Sequence, residues 1–332
     1  MFILDSYPAA VICCIVTMFC WGSWANTQKL AAGNWRFELF YWDYVLGILL
    51  FSIILAFTLG SIGSGGRSFV ADISQADVVN IGSAIIGGII FNAANILLGA
   101  AIAIAGMAVA FPVGIGLALV IGVVVNYVAH PIGDVGLLGA GVALIVVAIY
   151  LNAFAYGRMR AARKQRSSRG LALSVGAGVL MGFFYKYVAA SMFTDFDLPE
   201  PGKLSPYTAV FLFSVGILVS NVVFNTLLMR RPFVGPPVSF AAYFRGGFRN
   251  HITGILGGAV WCLGMSFSII ASGKAGPAIS YGLGQGATII AALWGIFIWK
   301  EFRGAPKGTA AVLGGMLLFY LAGLGLLVYA GA

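Results

Sequence analysis

Long apolar runs separated by short polar clusters make up almost the whole of this 332-residue chain. The runs cover about residues 8–31, 43–60, 78–100, 105–127, 134–156, 171–192, 206–229, 251–272, 276–299 and 306–330. Each is close to the ~20 residues that let a helix cross a hydrocarbon core roughly 30 Å thick. Lipid offers no partner for backbone N–H and C=O groups, so only helices or closed barrels can span it. Barrel strands alternate apolar and polar residues, and runs such as Val135–Ile149 do not. The pattern predicts an all-α polytopic membrane protein with ten transmembrane helices. The leader Met1–Pro8 holds Asp5 and no basic residue. The first run is therefore expected to stay as a span, because a removable secretory leader starts basic.

Composition agrees with a lipid environment: 61% of residues are hydrophobic and 9% charged, against roughly 25% charged in soluble domains. Cys13, Cys14, Cys20 and Cys262 all fall inside runs and read as small apolar fillers. The net charge of +9 is explained by topology and needs no nucleic acid. Lys29, Arg36, Arg158, Arg160, Arg163, Lys164, Arg166, Arg169, Arg230, Arg231, Arg245, Arg249, Lys300, Arg303 and Lys307 follow odd-numbered runs; Arg67, Lys186, Lys203 and Lys274 belong to the other side (15 + 4 = 19). Basic residues concentrate in cytoplasmic loops. The expected protein is thus an integral multi-pass protein of the plasma or cell inner membrane. Both termini face away from the cytoplasm and the Arg158–Arg169 loop lies inside.

That basic loop divides the chain into residues 1–157, a linker 158–170, and residues 171–332. At an offset of 170, Gly87 and Gly88 match Gly257 and Gly258, Phe91 matches Trp261, and Ala105-Gly106 matches Ala275-Gly276. Ala108 matches Ala278, Phe111 matches Tyr281, and Gly114 and Gly116 match Gly284 and Gly286. At an offset of 160, Gly22 and Asn26 stand beside Gly182 and Lys186. Five spans per half is an odd number, so the second copy enters the membrane upside down. Inverted repeats mark secondary transporters, whose sites sit between the copies where helices are interrupted by Gly and Pro. Pro112 with Gly114 and Gly116, and Pro277 with Gly282, Gly284 and Gly286, are the expected interruptions.

Several stretches, in order along both halves, resemble the ureide permease family of the drug/metabolite transporter superfamily. They are Gly22-Ser23-Trp24, Tyr41-Trp42-Asp43-Tyr44, Asp72-Ile73-Ser74-Gln75, Gly87-Gly88 with Asn95, and Gly284-Gln285 through Trp294-Gly295 to Lys300-Glu301. The glucose/ribose porter and rhamnose–proton symporter families look similar with less specificity. The resemblance implies ten helices arranged as two inverted five-helix repeats. It also implies secondary transport of small polar heterocycles such as allantoin, uracil or xanthine, with protons. The chain departs from the plant pattern in its short central loop and in Ala25, where Pro follows the Trp in that pattern.

Polar groups inside a span are costly and face the bundle interior or a cavity. Asn92 and Asn95 are three residues apart and share a helix face. With Gln285 they offer paired donors and acceptors, while Trp24, Trp261 and Tyr281 offer flat faces. Together with Asn26 these are the expected substrate-binding residues. A flat amide-bearing heterocycle suits the set, and so does a monosaccharide, which is the alternative solute. Helix-to-helix bonding by the amides and packing by the rings is the structural counterpart of that reading.

All ten carboxylates lie near span ends or in loops, so a permanently cationic solute lacks a buried counter-charge. Asp43, at the start of the second run, and Lys186 are the coupling or gating candidates. A helix-dipole role for Asp43 and snorkelling of Lys186 are the simpler readings. His251 is expected to cap or sit at the interface, and His130 to be loop. No metal-ligand cluster, nucleophile elbow, phosphate loop or paired central carboxylates are present. The sequence therefore points away from an enzyme, a bound cofactor or an ATP-driven pump and towards a proton or ion gradient. A channel would need rings of carbonyls or charges. The expected partners are a small-molecule solute and the bilayer, in a monomer or homodimer.

Overall fold

The computed structural model describes residues 1–31, 35–105, 107–159 and 168–332, with the side chains of 107–109, 111, 112 and 159 left aside. Its helices are α1 (Tyr7–Ser23), α2 (Asn26–Leu30), α3 (Phe37–Phe57), α4 (Phe69–Gln75), α5 (Val78–Ala105), α6 (Met107–Ala129) and α7 (Val135–Met159). They continue as α8 (Ser168–Ser191), α9 (Pro206–Arg230), α10 (Phe240–Phe244), α11 (Phe248–Ala275), α12 (Pro277–Gly284), α13 (Ala287–Leu293), a π-helical turn (Trp294–Ile298) and α14 (Thr309–Tyr329). Among the described residues, eight stretches are long and apolar enough to cross a membrane. The first and fourth predicted spans contribute shorter apolar helices, Tyr7–Ser23 and Val113–Ala129.

Local chemistry sets the boundaries. Ser205 caps α9 by accepting from the Thr208 N–H, with Pro206 at the first helical position. Gly276, at a φ of 78°, ends α11, and Pro277 starts α12 immediately after it. The matching Gly106 lies outside the described residues. α3 begins six residues earlier than expected, at Phe37 (43 − 37). Its two carboxylates are tolerated because each has a partner: Glu38 pairs with Arg36 and Asp43 with His251.

The ninth span breaks where expected, at Gln285-Gly286 between α12 and α13. The first span also breaks, at Trp24-Ala25, which hydropathy gave no reason to expect. The two breaks are adjacent: a side chain at Gly22 would overlap Ile290 of α13, and one at Gly284 would press on Trp21 of α1. The expected interruption at Gly114 and Gly116 does not occur, and α6 runs through both. Gly114 is instead a close-packing position: a Cβ at Gly178 of α8 would lie 2.6 Å from its carbonyl oxygen.

α3, α5, α9 and α11 pack together, α7 pairs with α14, and α8 and α1 flank α5 and α11 respectively. Glycines mediate the tightest crossings, and the crossings recur with partners exchanged. Gly88 of α5 abuts the Phe213 carbonyl of α9, and Gly258 of α11 abuts the Tyr44 carbonyl of α3. These correspond at offsets of 170 (258 − 88) and 169 (213 − 44). Gly216 abuts the Ile85 carbonyl and Gly47 the Ile255 carbonyl, at the same offsets. Gly182 meets Ile121 as Gly22 meets Ile290, and Gly141 and Gly323 meet each other's carbonyls. In every case a Cβ would overlap or crowd the neighbour, so these positions need small residues.

Both chain ends lie at one end of the bundle. The Tyr7 phenol donates to the Val328 carbonyl, the Asp134 N–H to Ala330, and the Phe2 N–H to Leu59. There α4 clamps the α8–α9 loop: the buried Asp72 accepts from Arg67 at 2.9 Å and from the Ser205 N–H at 2.7 Å. The opposite end gathers the basic loops. Lys29 pairs with Glu301 at 3.1 Å, and Arg158 donates to the Lys307 carbonyl at 2.6 Å. Residues 160–167 of the basic linker lie outside the described part.

Candidate functional site

The interior polar side chains meet between α3 and α5, where α9 packs on both. Phe37, Tyr41 and Tyr44 lie four and three residues apart and share one face of α3. The Tyr41 phenol donates to Asn92 Oδ1 at 2.9 Å and accepts from Asn95 Nδ2 at 3.1 Å. Asn92 Nδ2 donates onward to Ser220 Oγ of α9 at 2.9 Å. All four side chains are buried. The network therefore joins residues from both halves of the chain.

Aromatic rings surround it. Trp24, at the α1–α2 break, lies 4.6 Å from Tyr44, which lies 5.4 Å from Tyr41. Trp261 of α11 lies 4.4 Å from Phe91, the residue before Asn92, and stacks on Trp21 at 5.8 Å. Phe184 bridges Phe91 and Tyr281. The Tyr281 phenol donates to the Ala118 and Met181 carbonyls, and the ring lies 5.3 Å from Tyr185. Gln285 follows Tyr281 by one turn at the α12–α13 break and is 8% exposed.

The structure thus brings Trp24, Asn92, Asn95, Trp261 and Tyr281 into one continuous cluster, with Gln285 beside it. It does not bring in Asn26 or Lys186. Asn26 accepts from Trp299 Nε1 at 2.6 Å and donates to the Ser23 carbonyl, so it holds the α2 turn at the basic end. Lys186 is exposed on α8, while Tyr185, one residue earlier and about 100° round the helix, is buried. Tyr41, Tyr44, Ser220, Phe91 and Trp294 were missed. Trp294 Nε1 donates to Ser23 Oγ at 2.8 Å, tying the π-turn to the first break. The spacing of Phe37, Tyr41 and Tyr44 was the available signal for the α3 face.

Several buried polar atoms have no partner among the described residues: the Tyr44 hydroxyl, both amide atoms of Asn221 and Asn225 Oδ1. A buried donor or acceptor left unmet costs about 1–3 kcal/mol. Such atoms are what a polar solute or admitted water would satisfy. A cleft of about 200 Å³ opens at the basic end, with Arg36, Phe37, Glu38, Gly99, Ala103 and Phe233 among its walls. Phe37 packs at a tilt on Tyr41, ring centroids 5.1 Å apart, so this wall of the cleft backs onto the polar network. A wider groove of about 700 Å³, lined by Lys300, Arg303 and Lys307 among others, lies away from the cluster near the start of α14.

Asp43 is 1% exposed. Both its oxygens lie 3.0 Å from His251 Nδ1, and Oδ1 accepts from the Tyr243 phenol at 2.6 Å. His251 is therefore a partner of Asp43, where the sequence suggested a cap. Asp43 lies on the second turn of α3 and not at its start, so its charge is met by side chains and not by helix-terminal N–H groups. No cluster of His, Cys, Asp and Glu able to hold a metal occurs among the described residues.

A family model described as ureide permease matches residues 40–169 and 157–330. The chain is 24% identical to "Ureide permease 1" of Arabidopsis thaliana, over 99% of this chain and 98% of that protein. It is 26% identical to "Ureide permease 3" of the same plant, over 73% and 79% of the two chains. It is 20% identical to "Probable ureide permease A3" of Vigna unguiculata, over 92% and 99%. The crystal structure of another protein superposes on 96% of each chain with a TM-score of 0.55 at 14% identity, a likeness of fold alone.

Proposed function

The chain belongs to the ureide permease family, and from that premise we propose that it is a secondary transporter, not an enzyme, of a small neutral polar solute of the ureide or purine-base class. The observation that carries this reading is the Tyr41–Asn92–Asn95–Ser220 network enclosed by Trp24, Tyr44, Phe91 and Trp261. Flat rings supply stacking faces, and the amides supply the donor and acceptor pairs that a flat, amide-bearing solute presents. Trp24, Asn92, Asn95, Trp261, Tyr281 and Gln285 form the solute site. A sugar ring is the competing solute for the same groups.

The fold in this reading is ten transmembrane helices in two inverted five-helix repeats, residues 1–157 and 171–332, joined by the 158–170 linker. The exchanged glycine crossings, such as Gly88 on Phe213 and Gly258 on Tyr44, support it. Alternating access then rocks one half against the other around a fixed site. The side holding Lys29, Arg36, Arg158, Arg230, Arg249 and Lys300 is cytoplasmic by the positive-inside rule, and both termini face out of the cytoplasm. The membrane is the plasma or cell inner membrane, the driving gradient is one of protons, and Asp43 is the coupling group. The protein works as a monomer or homodimer.

Uptake into proteoliposomes, screened over nucleobases, ureides and monosaccharides with and without a pH gradient, tests the reading. Uracil, xanthine or allantoin should be taken up and should compete with one another. Asn95→Ala and Gln285→Ala should abolish uptake at normal protein level. Competition by glucose or rhamnose alone would move the assignment to a sugar, and normal uptake in both variants would remove the proposed site.

A further inference from the structure

Residues 231–247 connect α9 to α11, carry α10, and are fastened to α3 at two points. At the first, Arg36 donates to the carbonyls of Val234, at 3.1 Å, and Pro236, while pairing with Glu38. At the second, the Tyr243 phenol donates to Asp43 at 2.6 Å. Phe233 and Val234 of this segment form part of the wall of the 200 Å³ cleft that ends at Phe37. The segment therefore forms part of the rim of the basic-side cleft, beside the ring that packs on Tyr41.

The second fastening is built from ionisable groups and is absent from the other half. At the offsets that relate the helices, Asp43 corresponds to Leu212 (43 + 169) and His251 to Ile81 (251 − 170). Packing α3 on α11 thus does not require a charged pair, since the equivalent crossing of α9 on α5 uses apolar side chains. Gly254 lies directly against Asp43, where a Cβ would overlap the Asp43 Cβ, so the carboxylate is held hard against α11.

We propose that residues 231–247 are a strap over the basic-side mouth of the transport pathway, and that the Asp43–His251 pair is its proton-operated clasp. The proposal rests on the transporter reading for the meaning of the mouth, but the clasp is a property of the chain alone.

The proton count is simple. An ionised carboxylate only accepts, so Nδ1 of His251 carries a hydrogen towards Asp43, and the charge of the pair depends on whether Nε2 holds one too. With Nε2 protonated, carboxylate and imidazolium form a neutral pair, Tyr243 adds a third bond, and the strap stays closed. With Nε2 deprotonated, a net negative charge remains at a position 1% exposed, and burying an uncompensated charge is costly. Releasing Tyr243 admits water to Asp43 and lowers that cost, so the strap opens as the proton leaves. Burial, and then its bond to Asp43, push the Tyr243 phenol up, which keeps it a donor throughout. The groups facing the pair are Tyr243 from α10 and the Trp35 indole, 5.3 Å from His251, from the segment before α3. Nearby on α3, Glu38 is taken by Arg36, and on α11 Arg249 Nε donates to the Leu30 carbonyl. No further ion pair reaches Asp43 or His251 among the described residues.

The test is a labelling experiment in purified full-length protein that lacks Cys13, Cys14, Cys20 and Cys262. A single Ala100→Cys in the cleft wall, a position 5% exposed with the strap fastened, is reacted with a maleimide between pH 5.5 and 8. Ala310→Cys on the exposed surface is the reference for the intrinsic pH dependence of a thiol. The labelling ratio should rise several-fold with pH in the parent. It should lose its pH dependence in His251→Gln and be high at every pH in Tyr243→Phe. An unchanged pH profile in His251→Gln, or unchanged labelling in Tyr243→Phe, would overturn the clasp. No solute is needed, so a failed uptake screen with an intact labelling profile would discard the solute assignment and leave the strap standing.

Discussion

The Tyr41 hydroxyl serves two amides at once, reaching from α3 to α5 to donate to Asn92 and accept from Asn95. Because the two asparagines are three residues apart on one face of α5, a single phenol reaches both. Tyr41→Phe removes that hydroxyl and leaves Asn92 Oδ1 and Asn95 Nδ2 without it in a buried setting. The expected loss is about 1–3 kcal/mol of stability, read as a lower melting temperature in detergent, together with impaired uptake. A melting temperature equal to that of the parent would show that water replaces the phenol freely.

Glycine substitutions should divide sharply by position. Gly88→Ala and Gly258→Ala drive a methyl into backbone carbonyls, which cannot yield as a flexible side chain would. Overpacking of this kind costs typically 1–3 kcal/mol or more. Gly314 and Gly325 of α14 face open space, so alanine there should be tolerated. Size-exclusion profiles of the four variants check this. Monodisperse Gly258→Ala protein at parental yield would contradict the close crossing.

At the end holding the termini, Asp72→Asn should loosen the α8–α9 loop. The substitution discards the ion pair with Arg67 and weakens acceptance from the Ser205 N–H. Arg67 is partly exposed, so the cost is expected near 1–3 kcal/mol, below that of a fully buried pair. Limited proteolysis within residues 194–205 should quicken in the variant, and Gln75→Ala should add to it through the lost bond to the Gly202 N–H.

Lys186→Gln should leave uptake and its pH dependence unaltered. The ammonium stands on the exposed side of α8, apart from the aromatic–amide cluster. Loss of transport in a well-folded Lys186→Gln protein would mean that α8 rotates during the cycle to bring this residue inward.

Hydropathy along the chain was enough to place the eight long apolar helices found among the described residues, and helical spacing to single out Asn92 and Asn95 as neighbours on one helix face. These are local properties: a segment's preference for lipid, and the periodicity of its own helix. The match of Gly88 with Gly258 also pointed to similar crossings, because a glycine forced by close approach leaves its mark in the sequence at each of them.

Other features depended on how separate helices are rotated against one another. Asp43 and His251 are 208 residues apart, and nothing in either neighbourhood tells which polar groups will face each other. Only packing of α3 on α11 turned an isolated carboxylate and a suspected cap into a bonded pair. The same holds for the break at Trp24-Ala25, which leans on Gly284 and Trp294 from the far end of the chain. It holds also for α6, whose glycines serve contact with α8 and leave the helix whole. Lipid affinity is summed residue by residue and can be read in one dimension. The pairing of buried polar atoms is settled by register and rotation, which exist only once the bundle has closed.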